Sequence, residues 1–129
     1  MTRNQRQVTS AAFILAALLL AGIWTAGADQ HGEPPIQMLS SNVQGKNVYI
    51  PGTIVMIAGK PRSLQIYNTT DTPHGFSIEG AGVTAVLPPK VEHEVKVPAL
   101  PEGLYRIFCQ LHPPHRSAQL LVIPPPQKI

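Results

Sequence analysis

Ser63-Leu64-Gln65-Ile66-Tyr67-Asn68 alternates polar and apolar side chains. A period of two sends successive side chains to opposite faces, so this hexapeptide reads as a β-strand with one buried face. Turn signals bound it, Gly59-Lys60-Pro61 before and Thr70-Asp71-Thr72-Pro73 after. The same short apolar runs recur outward in both directions. Upstream lie Val48-Tyr49-Ile50 and, past Pro51-Gly52, the run Thr53 to Ala58. Downstream come His74 to Ile78, Gly82 to Leu87, Glu92 to Val97, Leu104 to Cys109 and Ala118 to Ile123. Pro88-Pro89 and the stretch from Pro98 to Gly103 separate these runs, and Pro124-Pro125-Pro126 closes the series. Seven or eight short strands with dense turns and no sustained helical period predict an all-β sandwich. The 14 prolines agree, because they punctuate strands and would break helices.

The N-terminus has another character. Arg3 and Arg6 precede an uncharged, mostly apolar stretch from Val8 to Ala28 that ends in Ala26-Gly27-Ala28. A basic lead, an apolar middle and small residues at the end describe a secretory signal peptide. The same stretch is also long enough to span a bilayer as a helix, with Trp24 at the interface. Both readings place the remaining chain outside the cytoplasm, in a periplasmic or other extracytoplasmic space, with residues 8–28 as the means of any membrane association. The expected organisation is a signal peptide or transmembrane anchor over 1–28, a linker or first strand over 29–46, and one sandwich domain over 47–129. After Ala28, eight cations meet seven anions, leaving a net charge of +1. No basic stripe interleaved with aromatics appears, so nucleic acid is not an expected partner.

Cysteine usage points to chemistry. The chain contains 1 cysteine, so it makes no internal disulfide. A lone thiol in an exported protein is a buried structural residue, an intermolecular bridge, a reactive group or a metal ligand. Its neighbours favour the last. Phe108-Cys109-Gln110-Leu111-His112-Pro113-Pro114-His115 gathers a thiol and two imidazoles in C-x₂-H-x₂-H spacing after a strand pattern. Its two prolines force turn or extended geometry that can fold several side chains around one point. Thiolate with imidazole suits copper or zinc and disfavours calcium or magnesium. His74, just after Pro73 at the start of a strand, completes a Cys-His₃ candidate set: His74, Cys109, His112 and His115. Taken alone, His74 could be a backbone-bonded turn residue and His115 a solvated loop residue. His31 and His93 read as surface residues. A structural zinc site would ordinarily use more cysteines.

His74-Gly75-Phe76-Ser77-Ile78 with Gly82-Val83, and Phe108-Cys109-Gln110-Leu111-His112-Pro113, resemble nitrosocyanin, the red copper cupredoxin of ammonia oxidisers. More distantly they resemble the copper domain of oxidase subunit II. The resemblance spans about Thr53 to Ile123 and implies a cupredoxin-like Greek-key sandwich. It implies one mononuclear copper, with Cys109, His112 and His115 at the positions of the nitrosocyanin Cys and two His. The nitrosocyanin glutamate is replaced by His74, as in ordinary cupredoxins. The axial methionine usual in blue copper sites is absent, since no methionine follows Cys109. A binuclear centre is excluded, because it needs two cysteines.

These readings predict an electron-transfer protein at the outer face of the membrane, its partner a redox protein or a membrane oxidase. Copper delivery to a cuproenzyme, and nitric oxide binding at an open copper position, are the alternatives. Imidazole in place of thioether would lower the reduction potential and shift the spectrum from blue toward green or red. No hydrolase signature, phosphate loop or carboxylate pair is present, and the chain reads more as a carrier than an enzyme.

Overall fold

The computed structural model describes residues 32–129, so the apolar segment 8–28 and His31 lie outside the described residues. Among the described residues nine strands follow one another: β1 (Ile36–Val43), β2 (Lys46–Ile50), β3 (Thr53–Ile57), β4 (Arg62–Asn68), β5 (His74–Ile78), β6 (Val83–Leu87), β7 (Glu92–Val97), β8 (Gly103–Phe108) and β9 (Ala118–Ile123). They form a four-stranded sheet ordered β2-β1-β4-β7 and a five-stranded sheet ordered β3-β9-β8-β5-β6. The pairs β1–β4 and β3–β9 are parallel, and the other pairs are antiparallel.

In β4 the alternation read in the sequence is the alternation of burial. In β4, Leu64 and Ile66 are buried and Tyr67 is exposed; in β9, Leu120 and Val122 are buried while Gln119 and Leu121 face out. Leu64 and Ile66 of one sheet share a single core with Phe76, Leu87, Ile107 and Leu120 of the other. Truncating such a leucine to alanine costs about 2–5 kcal/mol.

One strand exceeds the expected seven or eight. Residues 36–43, within the stretch read as linker or first strand, form β1 between β2 and β4. Ser40, fully buried, takes an inward position, whereas Leu39 is exposed, so polarity and burial run out of phase here. The link to β2 is a two-residue turn with φ of 51° at Gln44 and 76° at Gly45. That pair of positive angles is a type I′ turn, whose twist matches the flanking strands.

β5 is buried at every position and pairs with β6 along its whole length, from His74↔Leu87 to Ile78↔Val83. Its pairing with β8 stops at Ser77↔Phe108. Beyond that point the chain leaves the sheet at Cys109, opposite the N-terminal half of β5.

Candidate metal centre

His74 is held by the turn that precedes it. The fully buried Asn68 donates to Thr72 O (2.8 Å) and Leu87 O (3.0 Å), and its Oδ1 accepts from Thr70 N (3.0 Å) and Thr70 Oγ1 (2.8 Å). One amide thus shapes residues 70–72 and delivers His74 to the first position of β5. Cys109, directly after β8, is held from the other side: the Gly75 N–H donates to its Sγ at 3.1 Å. His112 Nδ1 lies 3.6 Å from the same sulfur. His115 N donates to His112 O at 2.9 Å across Pro113-Pro114, and Arg116 N donates to Asn47 O at 2.9 Å, tying the loop to β2.

His74, Cys109 and His112 thereby come together, with one ligand atom from each lying within 4.8 Å of the others. His115 packs beside them, its ring centroid 5.2 Å from that of His74, outside that three-residue cluster. His93 is the second residue of β7, opposite Ile66, and is not part of this cluster. His74, Cys109 and His115 are buried and His112 is partly exposed.

The unmet polar atoms are informative. Both ring nitrogens of His74 and Nε2 of His115 are buried without a hydrogen-bond partner. An unsatisfied buried polar group costs about 1–3 kcal/mol; Ser40 Oγ is the fourth such atom among the described residues, and the other three, gathered on two neighbouring imidazoles, are free for a ligand. His115 Nδ1 lies 3.0 Å from Arg116 O, an acceptor only, so Nδ1 carries the proton and Nε2 keeps its lone pair. Sulfur and free imidazole nitrogens are soft and borderline donors, a set that fits copper or zinc. A cavity of about 220 Å³ lined by Arg106, Phe108, Cys109, Gln110, Pro113 and His115 reaches the thiol. A larger cavity, about 460 Å³, lies at the far end of the strands among Lys60, Arg62 and Lys96 and contains none of these donors.

The electrostatics favour neutral imidazoles. Burial, with the neighbouring His115 and His112, lowers the His74 pKa below its ordinary value of 6.5. Burial also lowers His115, outweighing the opposing hydrogen bond to Arg116 O, and His112 adds to the lowering. Neutral imidazole is the metal-binding form. Tyr49, buried beneath the cluster, has its pKa pushed far above the usual phenol range by burial and by negative charge at Cys109.

Three residues around the site, Tyr49, Gly75 and Gln110, have a structural role that the sequence did not assign them. Tyr49 donates to Gly75 O at 2.6 Å and stacks on His115. A Cβ on Gly75 would overlap the Gln110 carboxamide and stand 2.9 Å from the Gln110 backbone nitrogen. A glycine inside a strand, next to a candidate ligand, was the available signal, since it marks close approach of another backbone. Tyr49 gave none, because it reads as an ordinary strand aromatic.

Among solved structures, a purple cupredoxin from Nitrosopumilus maritimus is 22% identical, aligned over 68% of this chain and 99% of that one with a TM-score of 0.50. Dithionite-reduced auracyanin from the photosynthetic bacterium Roseiflexus castenholzii is 16% identical, over 70% of this chain and 97% of that one, with a TM-score of 0.57. At these identities the likeness is one of fold. No curated protein sequence matches the chain. The model of the cupredoxin-like domain family matches residues 12–122, most of the chain. The nine-stranded sandwich and its His74–Cys109–His112 cluster are therefore those of a member of the cupredoxin-like domain family.

Proposed function

We propose that this protein is a mononuclear copper protein that carries single electrons, with His74, Cys109 and His112 as ligands and His115 Nε2 as the fourth. The carrying observation is His74: fully buried, both nitrogens unpartnered, beside a thiol and a second imidazole. Copper held by these residues would supply a one-electron couple between Cu(I) and Cu(II). The chain's own part is to keep the donors in place in both states. β5 is paired along its full length, the Gly75 N–H anchors the sulfur, and the 112–115 turn fixes the loop. Fixed donors reduce the rearrangement that accompanies electron transfer. His112, the partly exposed member, is the edge through which electrons would cross to a partner.

The Cys-Gln-Leu-His-Pro sequence and the absence of a methionine after Cys109 support a nitrosocyanin-like site over a blue one. The basic lead and apolar stretch of residues 1–28 support action outside the cytoplasm, either released or tethered to the membrane by residues 8–28, with a redox protein or membrane oxidase as partner. Voltammetry of the copper-loaded protein tests the carrier role. A reversible one-electron wave with copper retained over repeated cycles supports it. Loss of Cu(I) to a competing chelator during cycling would instead indicate delivery of the ion.

A further inference from the structure

Gln110 is exposed and follows Cys109 directly, yet both ends of its carboxamide are engaged. Its Oε1 accepts from Ser77 Oγ at 2.9 Å, and its Nε2 donates to Ala85 O at 2.9 Å. Ser77 belongs to β5 and Ala85 to β6, so one carboxamide bridges both strands. It does so across Gly75, whose missing side chain leaves the space the amide fills. Ser77 Oγ also lies 3.3 Å from Thr84 Oγ1, extending the link to β6. The β5–β8 ladder has already ended at Ser77↔Phe108, so no strand pairing holds the chain at Cys109. The side chain of Gln110 takes over where the ladder stops.

We propose that Gln110 is a positioning residue for Cys109: its carboxamide, latched across Gly75 to Ser77 and Ala85, holds the sulfur against the Gly75 N–H. A hydrogen bond to a metal-bound thiolate draws electron density from sulfur and is a lever on the redox potential. Releasing the latch lengthens that bond, lowers the reduction potential and moves the thiolate-to-copper band to longer wavelength. It also loosens a thiol that is 4% exposed and adjoins a cavity. The redox consequence rests on the copper reading; the mechanical one does not.

Two measurements on the full chain separate these. In the metal-free protein, the rate at which Cys109 reacts with an aromatic disulfide reagent should rise several-fold in Gln110→Ala and in Gln110→Met. The Met variant keeps length without hydrogen bonds, so it covers the case in which the Ala variant does not fold. Ser77→Ala, which removes one of the two latch bonds, should give a smaller rise. In the copper-loaded protein, the same variants should shift the band and the potential in that order. Val97→Ala, in the core at the far end of β7, should lower the melting temperature without moving either. Unchanged thiol reactivity in folded Gln110 variants overturns the latch. A wild type without a thiolate-to-copper band, but with reactive Gln110 variants, overturns the copper reading and leaves the latch standing.

Discussion

The ring of Tyr49 lies over the ring of His115, with centroids 4.3 Å apart and planes tilted by 31°. Tyr49 comes from β2 of the four-stranded sheet, and His115 from the loop between β8 and β9 of the other. The same tyrosine donates to Gly75 O, packs T-shaped with Phe76 at a centroid distance of 5.6 Å and spans the two layers under the candidate site.

Separating hydroxyl from ring therefore gives two effects. Tyr49→Phe keeps the stack but leaves Gly75 O unpaired, which should cost about 1–3 kcal/mol. Tyr49→Ala also removes the ring and should cost about 3–5 kcal/mol, in the range of other buried aromatics. Urea unfolding of the metal-free protein measures both. Equal losses would mean that the ring contributes nothing.

Gly75 tolerates no side chain. Gly75→Ala would place a methyl against the Gln110 backbone nitrogen, which cannot swing away as a side-chain end can. Overpacking of this kind costs about 1–3 kcal/mol. The displaced Cys109 should also weaken copper binding, read by competition with a chelator. Retention of wild-type affinity and stability would contradict the close approach.

The metal-free protein should lose stability in acid. The folded pKa values of His74 and His115 are lowered, so between those values and 6.5 the unfolded chain binds more protons. Their contribution is complete above the unfolded value and is lost as pH falls below 6.5 through the folded values. Urea midpoints compared at about pH 7.5 and about pH 5 should fall with acidification, and the fall should shrink in His74→Ala/His115→Ala. An identical fall in that double variant would assign the acid sensitivity to other groups.

Eight strands were legible as short apolar runs between turn residues; in β4 polarity and burial coincide, while β3, β6, β8 and β9 each turn one apolar residue outward, Val55, Val86, Leu104 and Leu121. β1 was left open because its inward Ser40 and outward Leu39 invert that rule. The ligand loop was legible from residue chemistry alone. The link between His74 and Cys109, 35 residues apart, depends on where the β5–β8 ladder ends, and that is a property of register. Gln110 and Tyr49 act through hydrogen bonds across strands distant in sequence, which no local pattern encodes. His115 was readable as a donor type, but its protonated nitrogen became assignable only with Arg116 O in view.

In the proposed site Cys109 and its histidines hold one copper ion. Absorption and electron paramagnetic resonance spectra recorded during Cu(II) titration of wild type, Cys109→Ser, His74→Ala and His115→Ala test it most directly. The expected result is an intense thiolate-to-copper band that saturates at one equivalent, vanishes in Cys109→Ser, weakens or disappears in His74→Ala and turns bluer in His115→Ala. A wild-type spectrum without that band, or one unchanged by Cys109→Ser, would contradict it.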